Sequence, residues 1–535
     1  MNATLNNYPY GSKRSASIAK NGMVATGHPL AAQVGLDILK QGGNAVDAAI
    51  ATAAALTVVE PTTNGIGGDA FAIVNFENTL YGINGSGKSP KGLTLDALKK
   101  KGLSEIPKFG VVPITTPGAV RAWVDLSEQF GVLDFKTVLK PAIQLANEGY
   151  PISPVIGQAW QNAFKAYKTI LNDPVFTPFF DTFTNKGKEI NPGEIFTLKD
   201  HAKTLDSIAQ TKGESFYKGH LAKKMATYIQ KHGGFLSEED LANHRSLWVD
   251  PISVNYRGYD IYELPPNGQG IITLQALGML KHFDFTTTYD PLHMHYQIEA
   301  IKLAFEDGFN HIADPSHMRI SVKELLDESY LKTRVELIKD TATTPKPSDP
   351  NYSGTVYLST ADKDGNMVSF IQSNYMGFGS GVVIPETGIA MQNRGRDFSL
   401  NEKSPNGLDG NKRSYHTIIP GFIKKDGVPI GPFGVMGGYM QPQGHLQVVQ
   451  SMIDNNLNPQ SALDKPRWQW IEGNRVKVES EMPLHFVEAL KQRGHTVEIE
   501  NKVSLFGRGQ IIWRLSNGAY VCGVEKRTDS SVALY

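Results

Sequence analysis

The stretch Ser353–Phe370, SGTVYLSTADKDGNMVSF, decides how this chain is read. Two runs rich in β-branched and aromatic residues flank the turn DKDGN, which is the signature of a β-hairpin. Gly365 supplies the left-handed residue of a three-residue loop, Lys363–Gly365. Pairing Asp362 with Asn366 sets Thr355 opposite Ser373, so two hydroxyls meet at the open end of the hairpin. A slip of one residue would turn Ser373 to the other face. Facing hydroxyls are ordinarily plain stabilisers, worth roughly 0.2–1 kcal/mol.

What precedes the hairpin changes that reading. Residues 341–354, TATTPKPSDPNYSG, carry three prolines and no large aliphatic side chain, which is linker chemistry. A tether placed directly before a strand that opens Gly354-Thr355 makes sense if that bond is cut. Thr355 would then own both a hydroxyl and a free α-amine. The amine titrates near ~8, so it can take the proton of its own hydroxyl. This is the N-terminal threonine form of an activated nucleophile. Gly354 has no Cβ, so the hydroxyl can reach its carbonyl carbon, and the tether lets the new end withdraw.

The rest of the chain is consistent with an enzyme of ordinary composition. It has 535 residues, 40% hydrophobic and 20% charged, enough for a large fold. Lys plus Arg and Asp plus Glu are both 53, so no net field favours nucleic acid or an anionic membrane. Cys522 is the single cysteine, which excludes an internal disulfide and a cysteine metal cage. The N-terminal MNATLNNYPYGSKRSASIAKNG has no apolar core of a signal peptide, and AVDAAIATAAALTVVEP is too weakly apolar to span a bilayer. A cytoplasmic protein with no membrane partner is expected.

Pro29 and Gly42-Gly43 bracket one helix, and Asn44 caps a second that ends at Pro61 and is crowded with alanines. Such a helix packs closely on a sheet. TNGIGGDAFAIVNFE reads as a glycine-rich turn feeding a strand. It lacks the G-x-G-x-x-G spacing of a phosphate loop. Residues 120–340 alternate between helices and loops, with VLKPAIQLANEGY, HGGFLSEEDLANH and MHYQIEAIKLAFEDGFNHI as the clearest helices. His293 and His295 do not share a helix face, and no carboxylate is spaced to complete a metal site. Residues 355–535 are strand-rich with two interleaved helices. The pattern predicts an α+β sandwich built from both halves of the chain.

A nucleophile needs an oxyanion hole and an anchor. Gly437-Gly438 can turn two N–H groups to one oxygen, or form a simple turn. Arg394, Arg396 and Asp397 cluster in QNRGRDFSL, and Lys412 and Arg413 follow in NKRSYHT. Arginine can grip a carboxylate through two parallel hydrogen bonds. Singly, each of these charges also fits a solvated surface.

With these motifs in hand, the chain resembles the γ-glutamyltranspeptidase (glutathione hydrolase) family of Ntn hydrolases over almost its full length. NGMVATGHPLAAQVGLDILKQGGNAVDAAIATAAALTVVEP, NGIGGDAF, TPGAVRAW, GGFLSEEDLANH, NYRGYDIYELPPNGQG, GTVYLSTADKDGNMVSF, NRGRDFS and VMGGYMQPQGHLQVVQ carry the resemblance. It implies a four-layer αββα sandwich and a proenzyme cut between Gly354 and Thr355. The products would be a large segment, 1–354, ending in the linker 341–354, and a small segment, 355–535, which together form one heterodimeric domain. The resemblance maps the nucleophile to Thr355, its supporting hydroxyl to Ser373 and the oxyanion glycines to Gly437 and Gly438. Asp397 maps to the acidic residue that binds a substrate α-amine. No metal or other cofactor is implied.

The departures fall in the substrate pocket. Ser86 stands about where the family holds an arginine for the γ-glutamyl carboxylate. Tyr375 takes the place of an asparagine, Arg394 of a glutamine, and Lys412-Arg413 of a serine pair. The segment between Asp397 and Lys412 is short, so the lid loop is expected to be missing. Arg394 and Arg413 favour a small amide with an anionic acyl group. Three readings follow: hydrolysis of glutathione or other γ-glutamyl amides with some transfer to amines; hydrolysis of another anionic amide, oxamate-like or cephalosporin-acylase-like; or an uncut binding homologue.

Overall fold

A computed structural model describes residues 14–285, 290–344 and 354–535. Most of the expected tether, residues 345–353, lies outside the described residues. The fold is mixed α and β, with two seven-stranded sheets at its centre. The hairpin Gly354–Asp362 and Met367–Tyr375 forms the middle of the first sheet. It is flanked on one side by Gly22–Thr26 and Ser531–Leu534, and on the other by Asp69–Phe76, Thr79–Gly85 and Leu247–Val249. The second sheet runs Ser17–Ala19, Tyr520–Val524, Arg508–Arg514, Val428–Met436, Gly421–Lys425, Tyr259–Glu263, Ile252–Tyr256. Every pairing in both sheets is antiparallel.

Period-two patterning assigns the layers. Val356 and Leu358 face the outer helices, whereas Tyr357 and Ala361 face the space between the sheets. Phe71, Ile73, Ile371, Phe422 and Ile512 fill that space with them. The alanine-rich helix Ala45–Val59 is buried along its whole length on the outer face of the first sheet, as its small side chains predict. Gly270–Leu280, Pro291–His311 and Met440–Ile453 cover the second sheet. The four layers are therefore helix, sheet, sheet, helix, built from both halves of the chain. Among the described residues, no helix is long and apolar enough to cross a membrane.

Asn44 does more than start its helix. Its Oδ1 accepts from the Val46 and Asp47 N–H groups, and its Nδ2 donates to the Phe130 carbonyl at 2.6 Å. Asp47 closes the capping box by accepting from the Asn44 N–H. Replacing Asn44 by Ala is expected to lower unfolding stability by about 1–2 kcal/mol, read from the denaturant midpoint.

Two expectations need correction. The short strands Leu247–Val249, Ile252–Tyr256 and Tyr259–Glu263 lie in a region read as helix and loop, and the last two extend the second sheet. The pattern SEEDLANH yields only the single turn Glu238–Ala242, capped by Ser237. Strands this short carry too few alternations to register as a period.

Candidate active site

The register of the hairpin holds from Val356↔Gln372 to Ala361↔Met367, as the turn geometry predicts. It then shifts, because Gly354 pairs with Tyr375. Ser373 and Asn374 thus oppose Thr355 alone, a bulge that bends the strand end and re-aims its side chains. Tyr375 leaves the bulge at φ 77°, a left-handed conformation that costs a non-glycine residue strain.

The bulge gathers two hydroxyls on one carbonyl. Thr355 is fully buried. Its Oγ1 lies 2.7 Å from the Gly354 carbonyl oxygen and 3.3 Å from Ser373 Oγ. Ser373 Oγ donates to the same Gly354 oxygen at 2.7 Å. Ser373 in turn accepts from the Tyr375 N–H at 2.8 Å, and an Arg394 Nη2 sits 3.5 Å away. A Cβ on Gly354 would stand 3.1 Å from Thr63 Cγ2 and 3.2 Å from the Gly377 nitrogen, so the junction accommodates glycine with little room to spare.

Beside these hydroxyls lies a buried charged group. Arg394 is 1% exposed. Its guanidinium stacks 4.1 Å from the centre of the Tyr375 ring, and Nη1 binds Asp397 at 3.2 Å and Thr417 Oγ1 at 2.8 Å. The Tyr375 hydroxyl donates to the other Asp397 oxygen. Burial pushes Asp397 up to about 6, against the pull of Arg394 and Tyr375. Both oxygens of Asp397 are therefore occupied, one of them by a cation.

Asp69, carried in the NGIGGDAF motif, is near enough to Arg394 to feel its charge. It accepts from Gly87 N, Gly118 N and Gln392 Nε2, and pairs with His416 Nε2 at 3.0 Å. Burial raises Asp69 to about 7 and holds His416 well below its usual range, with Arg394 acting on both. Sequence reasoning missed Asp69, Gln392, His416 and Thr417. The pairs span up to 347 residues, and the one available signal was an acidic residue opening an otherwise apolar strand.

Gly437 and Gly438 have φ of 138° and 59° and link the strand Val428–Met436 to the helix Met440–Ile453. Gly434 packs on the Tyr357 ring, and Met436 shares a small cavity with Val356 and Tyr357. The glycine turn thus leaves its strand at the end of the inter-sheet space where Thr355 begins. Gln269 Nε2 holds the Gly438 carbonyl at 2.9 Å and the Thr417 carbonyl at 2.7 Å, fixing the turn to the arginine wall.

The remaining sequence candidates have backbone partners. Lys412 Nζ donates to the Gly407 carbonyl. Arg413 donates to the carbonyls of Ser86 and Arg245, and its backbone N–H to Asp314. Ser86 is buried and hydrogen-bonded to Asn84 and Asn267. The structure brings together Gly354, Thr355, Ser373, Tyr375, Arg394 and Asp397; Lys412 gives one hydrogen bond and the Arg413 side chain two to backbone carbonyls.

The histidine reading also changes. His293 and His295 stay apart in role, but Glu299, one turn after His295, does share its face and meets His495 there. The missing carboxylate was four residues away, and its second histidine 200 residues away.

The gamma-glutamyltranspeptidase family model matches residues 31–535. A glutathione hydrolase-like proenzyme (YwrD) of Bacillus subtilis strain 168 is 37% identical over 520 residues, 95% of this chain and 97% of that protein. An oxamate amidohydrolase proenzyme of Klebsiella pneumoniae is 32% identical, covering 97% of this chain and all of that one. A crystal structure of a cephalosporin acylase from Bacillus halodurans superposes with a TM-score of 0.96 at 54% identity, over 99% of this chain and 98% of that one.

Proposed function

The chain belongs to the gamma-glutamyltranspeptidase family of hydrolases, and from that premise we propose that it is a proenzyme that cuts itself between Gly354 and Thr355, then uses Thr355 to hydrolyse amides of carboxylate-bearing acyl groups. The observation that carries this is the convergence of the Thr355 and Ser373 hydroxyls, each 2.7 Å from the Gly354 carbonyl oxygen.

In maturation, Thr355 Oγ forms a bond to the Gly354 carbonyl carbon and the Gly354–Thr355 C–N bond breaks. The hydroxyl proton goes to the departing nitrogen. Ser373, donating to the carbonyl oxygen, supports the negative charge that develops there. Water then cleaves the resulting ester, leaving a Gly354 carboxylate and a free Thr355 hydroxyl and α-amine. Removing one such donor costs ~10²–10³ in rate. Ser373→Ala is accordingly expected to slow appearance of the two fragments on a denaturing gel by that factor, with the fold retained.

In turnover, Thr355 Oγ adds to the substrate carbonyl as its proton passes to the α-amine. The Gly437 and Gly438 N–H groups receive the oxyanion. Collapse releases the amine with that proton, and water returns the acyl group as a free acid.

The pocket favours an acyl group without an α-ammonium. An ammonium needs net negative charge, yet Asp397 is already bound by Arg394 and Tyr375. Arg394 keeps its Nε unpaired and its Nη2 beside Ser373, which suits a carboxylate. Amides of simple dicarboxylic acids, oxamate-like or glutaryl-like, are therefore the first expectation. The second reading is γ-glutamyl hydrolysis, including glutathione, which the glutathione hydrolase names of several relatives support. Glutaryl-p-nitroanilide and γ-glutamyl-p-nitroanilide differ only in the ammonium. A higher kcat/KM on the glutaryl compound supports the first reading, and preference for the γ-glutamyl compound rejects it in favour of the second.

A further inference from the structure

The buried cluster of His295, Glu299, Lys302 and His495 plays no part in the chemistry above. Its geometry shows what it is built around. Glu299 and Lys302 are fully buried and paired at 2.7 Å. The second Glu299 oxygen accepts from the Thr343 N–H at 2.9 Å and from the Thr343 hydroxyl. Lys302 Nζ donates to the Thr343 carbonyl at 2.9 Å and reaches Asn474 Oδ1 at 3.4 Å. The three ammonium protons and both carboxylate oxygens thus have partners, and Thr343 supplies three of those contacts.

The neighbouring residues are held in the same way. His295 Nε2 bonds the Lys339 carbonyl at 2.7 Å, while its Nδ1 meets His495 Nε2 at 2.8 Å. Arg493 donates to the Asp340 carbonyl and accepts from the Ala342 N–H through its own carbonyl. Tyr296 donates to the Asp340 carboxylate. His295, Tyr296, Glu299 and Lys302 lie on the helix Pro291–His311 of the large segment, whereas Asn474, Arg493 and His495 belong to the small one.

We propose that residues 339–344 are a docked tail, a binding partner of this composite surface, which stays bound to both fragments after the chain is cut and joins them noncovalently. The proposal rests on cleavage at Gly354. Withdrawing the tail would strip two donors from a buried carboxylate and an acceptor from a buried ammonium, and both groups would be left short of partners away from water. The first residues of the stretch read as a tether are therefore anchored. The same three carboxylate and imidazole groups have the spacing of a metal site, but the Lys302 ammonium, bonded to Glu299, already supplies the cation.

Hydrogen exchange of a peptide covering 339–344 tests this in the intact protein. The Ala342 and Thr343 amides should exchange at least ~10²-fold more slowly than in the free peptide, equally in the cut wild type and in uncut Thr355→Ala. Exchange at the free-peptide rate in the cut protein would overturn the proposal. Glu299→Ala/Lys302→Ala removes both charges together. Its cut fragments should separate on size exclusion at a lower urea concentration than the wild-type pair, and an unchanged midpoint would also overturn it. If this variant does not fold, the exchange measurement decides alone. Zinc added to chelator-treated protein should leave the tail's exchange unchanged; slowing that His495→Ala abolishes would show a metal site instead and overturn the ammonium-centred tail. Cleavage appearing in Thr355→Ala would reject the nucleophile, not the tail, whose exchange is read in whichever form is present.

Discussion

Thr355→Ala is expected to run on a denaturing gel as one chain of the full 58.6 kDa, with no hydrolysis of any amide. The alanine removes the only hydroxyl that is both part of the junction and 2.7 Å from its carbonyl oxygen. Ser373 approaches the same oxygen but sits across the bulge, where it can donate a proton and has no amine of its own. Without the cut, the α-amine that serves as base never forms. Loss of activity from these two causes together should exceed any other single substitution, with turnover falling to the background of the uncatalysed reaction. Two fragments in this variant, the smaller opening Ala-Val-Tyr-Leu, would end the assignment.

Arg394→Gln is expected to have the second-largest effect on substrate hydrolysis and to act on selectivity. The glutamine keeps a donor for Asp397 and removes the cation. Removing one partner of a buried, hydrogen-bonded charge pair costs roughly 3–5 kcal/mol, about 10²–10³ or more in an equilibrium or rate. kcat/KM on glutaryl-p-nitroanilide should fall by about 10², since the acyl carboxylate loses its counter-charge. Asp397 is then left with net negative charge, so the γ-glutamyl compound should lose much less and overtake the glutaryl one. Equal losses on both substrates would show that Arg394 serves only the fold of the pocket. Maturation, followed on the gel, is the control that separates pocket from nucleophile: Arg394 stands 3.5 Å from Ser373, and its loss should slow cutting modestly at most.

Much of this site is legible in the order of residues along the chain. The hairpin, its turn at Gly365 and the approach of Thr355 to Ser373 follow from period-two alternation and one left-handed glycine, both of which are local. The bulge is not legible there, because an extra residue in one strand leaves the composition of both unchanged. Arg394 and Asp397 are visible as a charged cluster, but not that each neutralises the other. Lys412 and Arg413 look equally suited to a carboxylate, and only their neighbours show that backbone carbonyls already take some of their donors.

By itself the sequence determined the layered α+β fold, and it is the source of the proposed junction at Gly354 and of Thr355 as the proposed attacking residue, since these rest on periodicity and on chemistry confined to a few adjacent residues. The tertiary structure alone decided which charges are free. Whether a buried ion attracts a substrate or is already answered depends on partners brought from as far as 347 residues away, as Asp69 and His416 are. No local pattern records a contact that only packing creates.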